Sequence, residues 1–106
     1  MSDHESRIKR FQEHAKAFPD SELPHFALAK ALLEAGREEE AMAEFRETLR
    51  LKPDYLIPHI ILARLLLDHG RKDEARALAA KARPLAVAQG HDGPLREIEE
   101  LEKETN

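Results

Sequence analysis

HFALAKALLEAGREEEA (His25 to Ala41) and HIILARLLLDHGRKDEA (His59 to Ala75) say nearly the same thing twice. Gly36 and Gly70 lie 34 residues apart, and the same offset joins Pro24 to Pro58, His25 to His59, Leu28 to Leu62 and Ala29 to Ala63. It also joins Leu32 to Leu66, Arg37 to Arg71, Glu40 to Glu74 and Ala41 to Ala75. So many matches in one register are the mark of a stacked repeat. Each unit reads as two helices. Leu28, Leu32 and Ala35 recur at helical spacing, and Gly36 then offers the left-handed backbone that a helix end often needs. Arg37-Glu38-Glu39-Glu40 opens the second helix with carboxylates at the positive end of its dipole, and Arg46 and Arg50 sit nearer the negative end. Ala41, Phe45 and Leu49 form its apolar stripe, and Pro53 closes it. The expectation is an all-α chain of antiparallel helical hairpins, none of which can cover its apolar face alone.

These residues resemble the tetratricopeptide repeat. That family places Trp, Leu, Gly and Tyr on a first helix, Ala and Phe on a second, and then Pro. The corresponding positions here hold His25, Leu28, Ala29, Leu32, Ala41, Phe45 and Pro53 in the first unit, and His59, Leu62, Ala63, Leu66, Ala75, Ala79 and Val87 in the second. Histidine replaces tryptophan in both, and the second unit departs again at Ala79 and Val87. The resemblance implies a short right-handed solenoid of about six helices forming a single domain over 1–106.

Within that frame 22–55 and 56–89 are the two repeat units. Stepping back 34 residues from Phe45 and Pro53 lands on Phe11 and Pro19, so 1–20 reads as a degenerate half-repeat: a second helix whose first is missing. GHDGP (Gly90 to Pro94) is a break, and Pro94 suits the first turn of a helix. Leu95, Ile98 and Leu101 then make a narrow stripe on a charged helix over 94–104, the form of a solubilising cap. Pro84 interrupts an alanine-rich helical pattern and predicts a kink, or a break near Arg83.

Composition removes several functions. Lys and Arg number 17 against 21 Asp and Glu, a net charge of −4, so the concentrated basic face of a nucleic-acid binder is not expected. Aromatic residues are too few for a base-stacking platform. The absence of cysteine excludes disulfides and thiolate metal sites. The charged N-terminus does not read as a secretory signal, and the most apolar stretch, Leu56 to Leu67, is too short and too interrupted by Pro58, His59 and Arg64 to span a bilayer. A cytoplasmic location is expected, and Met1 with the charged tail suits a complete small protein. No nucleophile, phosphate loop or metal motif stands out, so neither enzymatic activity nor a cofactor is expected. The six histidines have no zinc spacing. His25 and His59 are expected to fill the tryptophan slots, and protonating them near pH 6 is expected to loosen the stack.

The resemblance further implies an inner, concave surface lined by the first helix of each unit, a groove that the family uses to bind peptides, often chain termini. By repeat position its residues are Leu23, Phe26, Lys30, Leu33 and Glu34 from the first unit, and Ile57, Ile60, Arg64, Leu67 and Asp68 from the second. Lys30 and Arg64 are equivalent. Either each pairs along its helix with the carboxylate four residues on, Glu34 or Asp68, or together they hold a partner's acidic side chain or C-terminal carboxylate. The carboxylate-clamping members of the family carry asparagines in the groove, whereas Asn106 is the only asparagine here. Leu56, Ile57, Ile60, Ile61, Leu62, Leu65, Leu66 and Leu67 nearly encircle one helix, which calls for burial all round. Phe26, Ile57 and Ile60 are the residues expected to stay exposed. The expected partner is another protein or peptide; the alternative is a homodimer through the apolar groove face.

Overall fold

The glycines do the punctuating. In the computed structural model, which describes residues 3–106, Gly36, Gly70 and Gly90 have φ of 79°, 76° and 67°. Each follows a helix whose last carbonyls are taken up in the same way. Gly36 N–H donates to Leu33 at 3.0 Å and Arg37 N–H to Leu32 at 2.9 Å; Gly70 and Arg71 repeat the pattern on Leu67 and Leu66, and Gly90 and His91 on Val87 and Ala86. This double closure needs a left-handed residue just past the helix, where a side chain is strained.

The described residues form six helices and no strand: α1 (Asp3–Ala17), α2 (Glu22–Glu34), α3 (Glu38–Leu51), α4 (Leu56–Asp68), α5 (Lys72–Gln89) and α6 (Asp92–Thr105). The fold is all-α. The first two positions of the expected 1–20 segment lie outside the described residues. Packing divides the chain into two units, one ending at Pro53 and the other beginning at Asp54. In the first, α2 packs against both α1 and α3; in the second, α5 packs against both α4 and α6, and α4 also meets α6.

Leu28, Ala29, Ala31 and Leu32 of α2 are buried, as are Ala41, Met42, Phe45 and Thr48 of α3. Phe45 is completely enclosed, and its ring lies 6.0 Å from that of Phe26 at a tilt of 60°. Burying a side chain of this size contributes roughly 1.5–3 kcal/mol. Thr48 satisfies its hydroxyl on the Glu44 carbonyl at 2.8 Å, which lets it sit in the core. In the second unit α4 is buried at Leu56, Pro58, His59, Ile60, Leu62, Ala63, Leu65 and Leu66, as its near-continuous apolar surface requires. Against it α5 buries only alanines, Ala75, Ala79, Ala82 and Ala86. The final helix is amphipathic: Ile98, Leu101 and Thr105 are buried and the charges face out.

Of the kink or break expected at Pro84, the break near Arg83 does not occur: α5 runs unbroken from Lys72 to Gln89. The N–H that proline lacks would have bonded the carbonyl of Ala80, and both Ala80 and Pro84 lie on the exposed side, where a freed carbonyl faces solvent. The last helix starts at Asp92, two residues before Pro94, with His91 as its N-cap. No helix among the described residues is long and apolar enough to cross a membrane.

Candidate functional site

The first helix of each unit carries the expected site residues. On α2, Leu23 is 59 % exposed and Lys30 and Glu34 are exposed, whereas Phe26 and Leu33 are half-buried. Leu23 stands open at the start of the helix because the apolar stripe that meets α1 and α3 begins one turn later, at Leu28. The Lys30 ammonium lies 5.4 Å from the centre of the Phe26 ring, a cation on the electron-rich face of an aromatic. Lys30 does not pair with Glu34. That carboxylate instead takes a hydrogen bond from Arg7 of α1 at 2.6 Å. Unit one thus offers a cation with no carboxylate on it among the described residues, standing over an aromatic ring on the helix that also exposes a leucine.

On α4, Ile57 is 42 % exposed, Arg64 and Leu67 are half-buried and Asp68 is exposed. Ile60, expected to be open, is only 6 % exposed. The repeat explains this. Phe26 and Phe45 occupy the positions that Ile60 and Ala79 occupy in the second unit, and the small Ala79 leaves room for Ile60 to sink. The expected pair of Arg64 with Asp68 does not form either; Arg64 donates to Glu104 of α6 at 2.7 Å. Both intrahelical pairs therefore yield to bridges with a neighbouring helix. In unit one that bridge leaves the cation without a carboxylate, and in unit two it occupies the cation. Ile57 lines a shallow pocket with Tyr55, Leu56, Gln89, His91 and Pro94.

The two histidines fill equivalent positions with different chemistry. His25 Nδ1–H donates to Glu44 of α3 at 2.8 Å, and its Nε2 is buried with no partner among the described residues. His59 donates from Nδ1 to the Tyr55 carbonyl of its own helix at 2.7 Å. Burial holds the His59 imidazole below its ordinary pKa; the Tyr55 carbonyl opposes this, and Lys81 of α5 adds to it. No group of three or more metal-binding side chains gathers among the described residues.

Sequence reasoning missed Arg7 and Glu104, because ion pairs between helices leave no local spacing to read. It also passed over Phe18, which is 62 % exposed, and did not foresee the exposure of Val87, which is 61 %. Phe18 could have been found by extending the 34-residue register backwards, where it falls level with Lys52 and Ala86.

The comparisons agree with this architecture. Over 97 % of its length the chain superposes with a TM-score of 0.84 on 82 % of a structure of yeast Sti1, described as its TPR2B domain in complex with pHsp70, at 20 % identity. A second yeast Sti1 structure, TPR2AB with pHSP90, gives 0.83 and 20 % identity over 97 % of this chain and 40 % of that one. A tetratricopeptide repeat domain protein from Salinibacter ruber gives 0.72 and 25 % identity, covering 82 % of this chain and 88 % of that one. No curated protein matches the sequence. The model of the tetratricopeptide repeat matches residues 32–89, more than half of the chain. With its doubled helical hairpin and glycine-closed turns, the chain belongs to the tetratricopeptide repeat family.

Proposed function

We propose that the protein is an interaction module that binds a peptide segment of another protein along the exposed faces of α2 and α4, the first helices of its two repeats. The observation that carries this reading is Lys30, a cation with no carboxylate partner among the described residues, which stands over Phe26 on the helix exposing Leu23. Such a surface suits a peptide with an apolar side chain beside an acidic one or a C-terminal carboxylate, since charge-assisted hydrogen bonds are the stronger kind. Ile57 and Arg64 supply the same two kinds of chemistry on α4. Leu33, Glu34, Leu67 and Asp68 frame the faces, while the buried Ile60 supports its helix from below. Two of the similar structures are tetratricopeptide domains in complex with pHsp70 and with pHSP90, and this favours the same class of work here.

The experiment is a titration of the 106-residue protein with peptides ending in an acidic residue and a free carboxylate. Lys30→Glu combined with Arg64→Glu should weaken binding by about tenfold or more, the scale of one or two charge-assisted contacts, with helicity unchanged by circular dichroism. Unchanged affinity would sink the proposal. The exposure of Leu23 and Ile57 also favours a second reading, self-association through the same faces. Light scattering over a range of concentrations separates the two, because a stable dimer broken by Ile57→Asp would give those faces to a second copy.

A further inference from the structure

The 34-residue register exposes a second surface, at the other side of α1. In α5, which packs between α4 and α6, the buried residues are Ala75, Ala79, Ala82 and Ala86. One repeat earlier the same positions hold Ala41, Phe45 and Thr48, all buried where α3 packs on α2, and then Lys52 just past the helix. One repeat earlier again they hold Arg7, Phe11 and His14 of α1, and then Phe18 just past its end. Here most of the face is open: Arg7 is turned to Glu34 of α2, but Phe11 is half-buried, His14 is exposed and Phe18 is 62 % exposed. α1 buries only Ile8 and Ala15. From Phe11 onward, the face that receives a helix in both other units has none packed on it in the same way among the described residues.

Its chemistry is not that of a plain cap. A terminal helix made only for solubility carries a polar outer face, as α6 does with its glutamates. This face instead sets two phenylalanines among cations. The Arg10 guanidinium lies 5.5 Å from the centre of the Phe11 ring, and His14 meets that ring edge-on at 6.3 Å. Arg10 has no carboxylate partner among the described residues. In α3 the residue at the position of Arg10 is Glu44, and it holds the docked helix by accepting from His25. The same contact made on α1 therefore demands the opposite sign.

We infer that the surface formed by Phe11 of α1 and Phe18 just past its end is a docking surface for an acidic amphipathic helix of another protein, bound as α2 is bound on α3. Apolar side chains of that helix cover Phe11 and Phe18, and a carboxylate reaches Arg10. This surface is separate from the faces of α2 and α4 proposed above, and neither depends on the other.

The probe is a synthetic peptide with the sequence of α2, Glu22 to Glu34, carrying His25→Glu so that a carboxylate stands where it can meet Arg10. Titrated into the 15N-labelled 106-residue protein, it should shift the amides of α1. The unmodified α2 peptide should bind more weakly. Arg10→Glu should weaken the modified peptide on the order of tenfold, the effect of turning one attraction into a repulsion, and Phe11→Ser should weaken it further. Because Phe11→Ser could disturb α1, Phe18→Ser is made beside it, where the side chain is already mostly in water. Absent shifts, shifts centred on α3 to α6, or equal binding by the Arg10→Glu protein would each overturn the proposal. So would a dimer in the unliganded protein that Phe18→Ser dissolves, since the occupant would then be a second copy.

Discussion

The two repeats solve one packing problem with opposite distributions of volume. In the first, α2 carries modest apolar bulk and α3 supplies the buried Phe45. In the second, α4 is loaded with leucine and isoleucine and α5 answers with four alanines. Polar chemistry divides in the same way. His25 is tied to a carboxylate across the hairpin, whereas His59 is turned back onto its own helix because position 78, the counterpart of Glu44, is a leucine. A repeat therefore constrains the sum of what two facing helices contribute and leaves the share of each free. The shares then decide which residues reach the surface: Phe26 keeps part of its ring outside under Lys30, and its counterpart Ile60 is drawn in.

The comparison breaks first at Phe45. Phe45→Ala leaves a hole that the half-buried Phe26 cannot fill and should cost about 3–5 kcal/mol, read from urea denaturation. If the loss were under about 1 kcal/mol, the volume of unit one would not reside in that ring. The reverse change, Ala79→Phe, forces a ring against an already full α4 and should cost about 1–3 kcal/mol. A stabilised variant would mean that α5 and α4 leave space. The glycines test sameness. Gly36→Ala and Gly70→Ala place a side chain in open space but at positive φ, so each should cost about 1 kcal/mol and by nearly equal amounts. Unequal losses would show that the two turns are not equivalent.

The smallest effect at neutral pH belongs to His59 and appears only on acidification. Its folded pKa is depressed, so between that value and the unfolded value near 6.5 the unfolded chain binds more protons and stability falls with falling pH. Stability should be full above about pH 6.5 and decline below it, and His59→Gln should flatten that part of the dependence. A urea midpoint with the same slope in the variant would place the acid sensitivity elsewhere.

Much of this fold was legible because it repeats. Two glycines, a row of leucines and alanines and a proline in one register placed the helices of both units, and the offset carried back to Phe11 found α1. At Pro84 the pattern left a kink or a break open, because the cost of a proline depends on where its orphaned carbonyl points, and that side became known only once the burial of Ala82 and Ala86 set the face of α5. The candidate site was less legible. Lys30, Leu23 and Ile57 are exposed as their repeat positions imply, but the fate of each charge depended on distant partners. Arg7 draws Glu34 away from Lys30, and Glu104 comes from 40 residues down the chain to occupy Arg64.

That last contact sharpens the account of binding. Glu104 competes for Arg64, so Glu104→Gln should tighten an acidic peptide by a few-fold, in proportion to the modest worth of an exposed pair. The most direct test of the central claim is to map amide shifts across the labelled protein while adding peptides with a free C-terminal carboxylate and, separately, their amidated forms. The account predicts saturable shifts at Leu23, Phe26, Lys30, Ile57 and Arg64, reduced by amidation and abolished by Lys30→Glu with Arg64→Glu. Shifts that ignore both changes, or that leave α2 and α4 untouched, would contradict it.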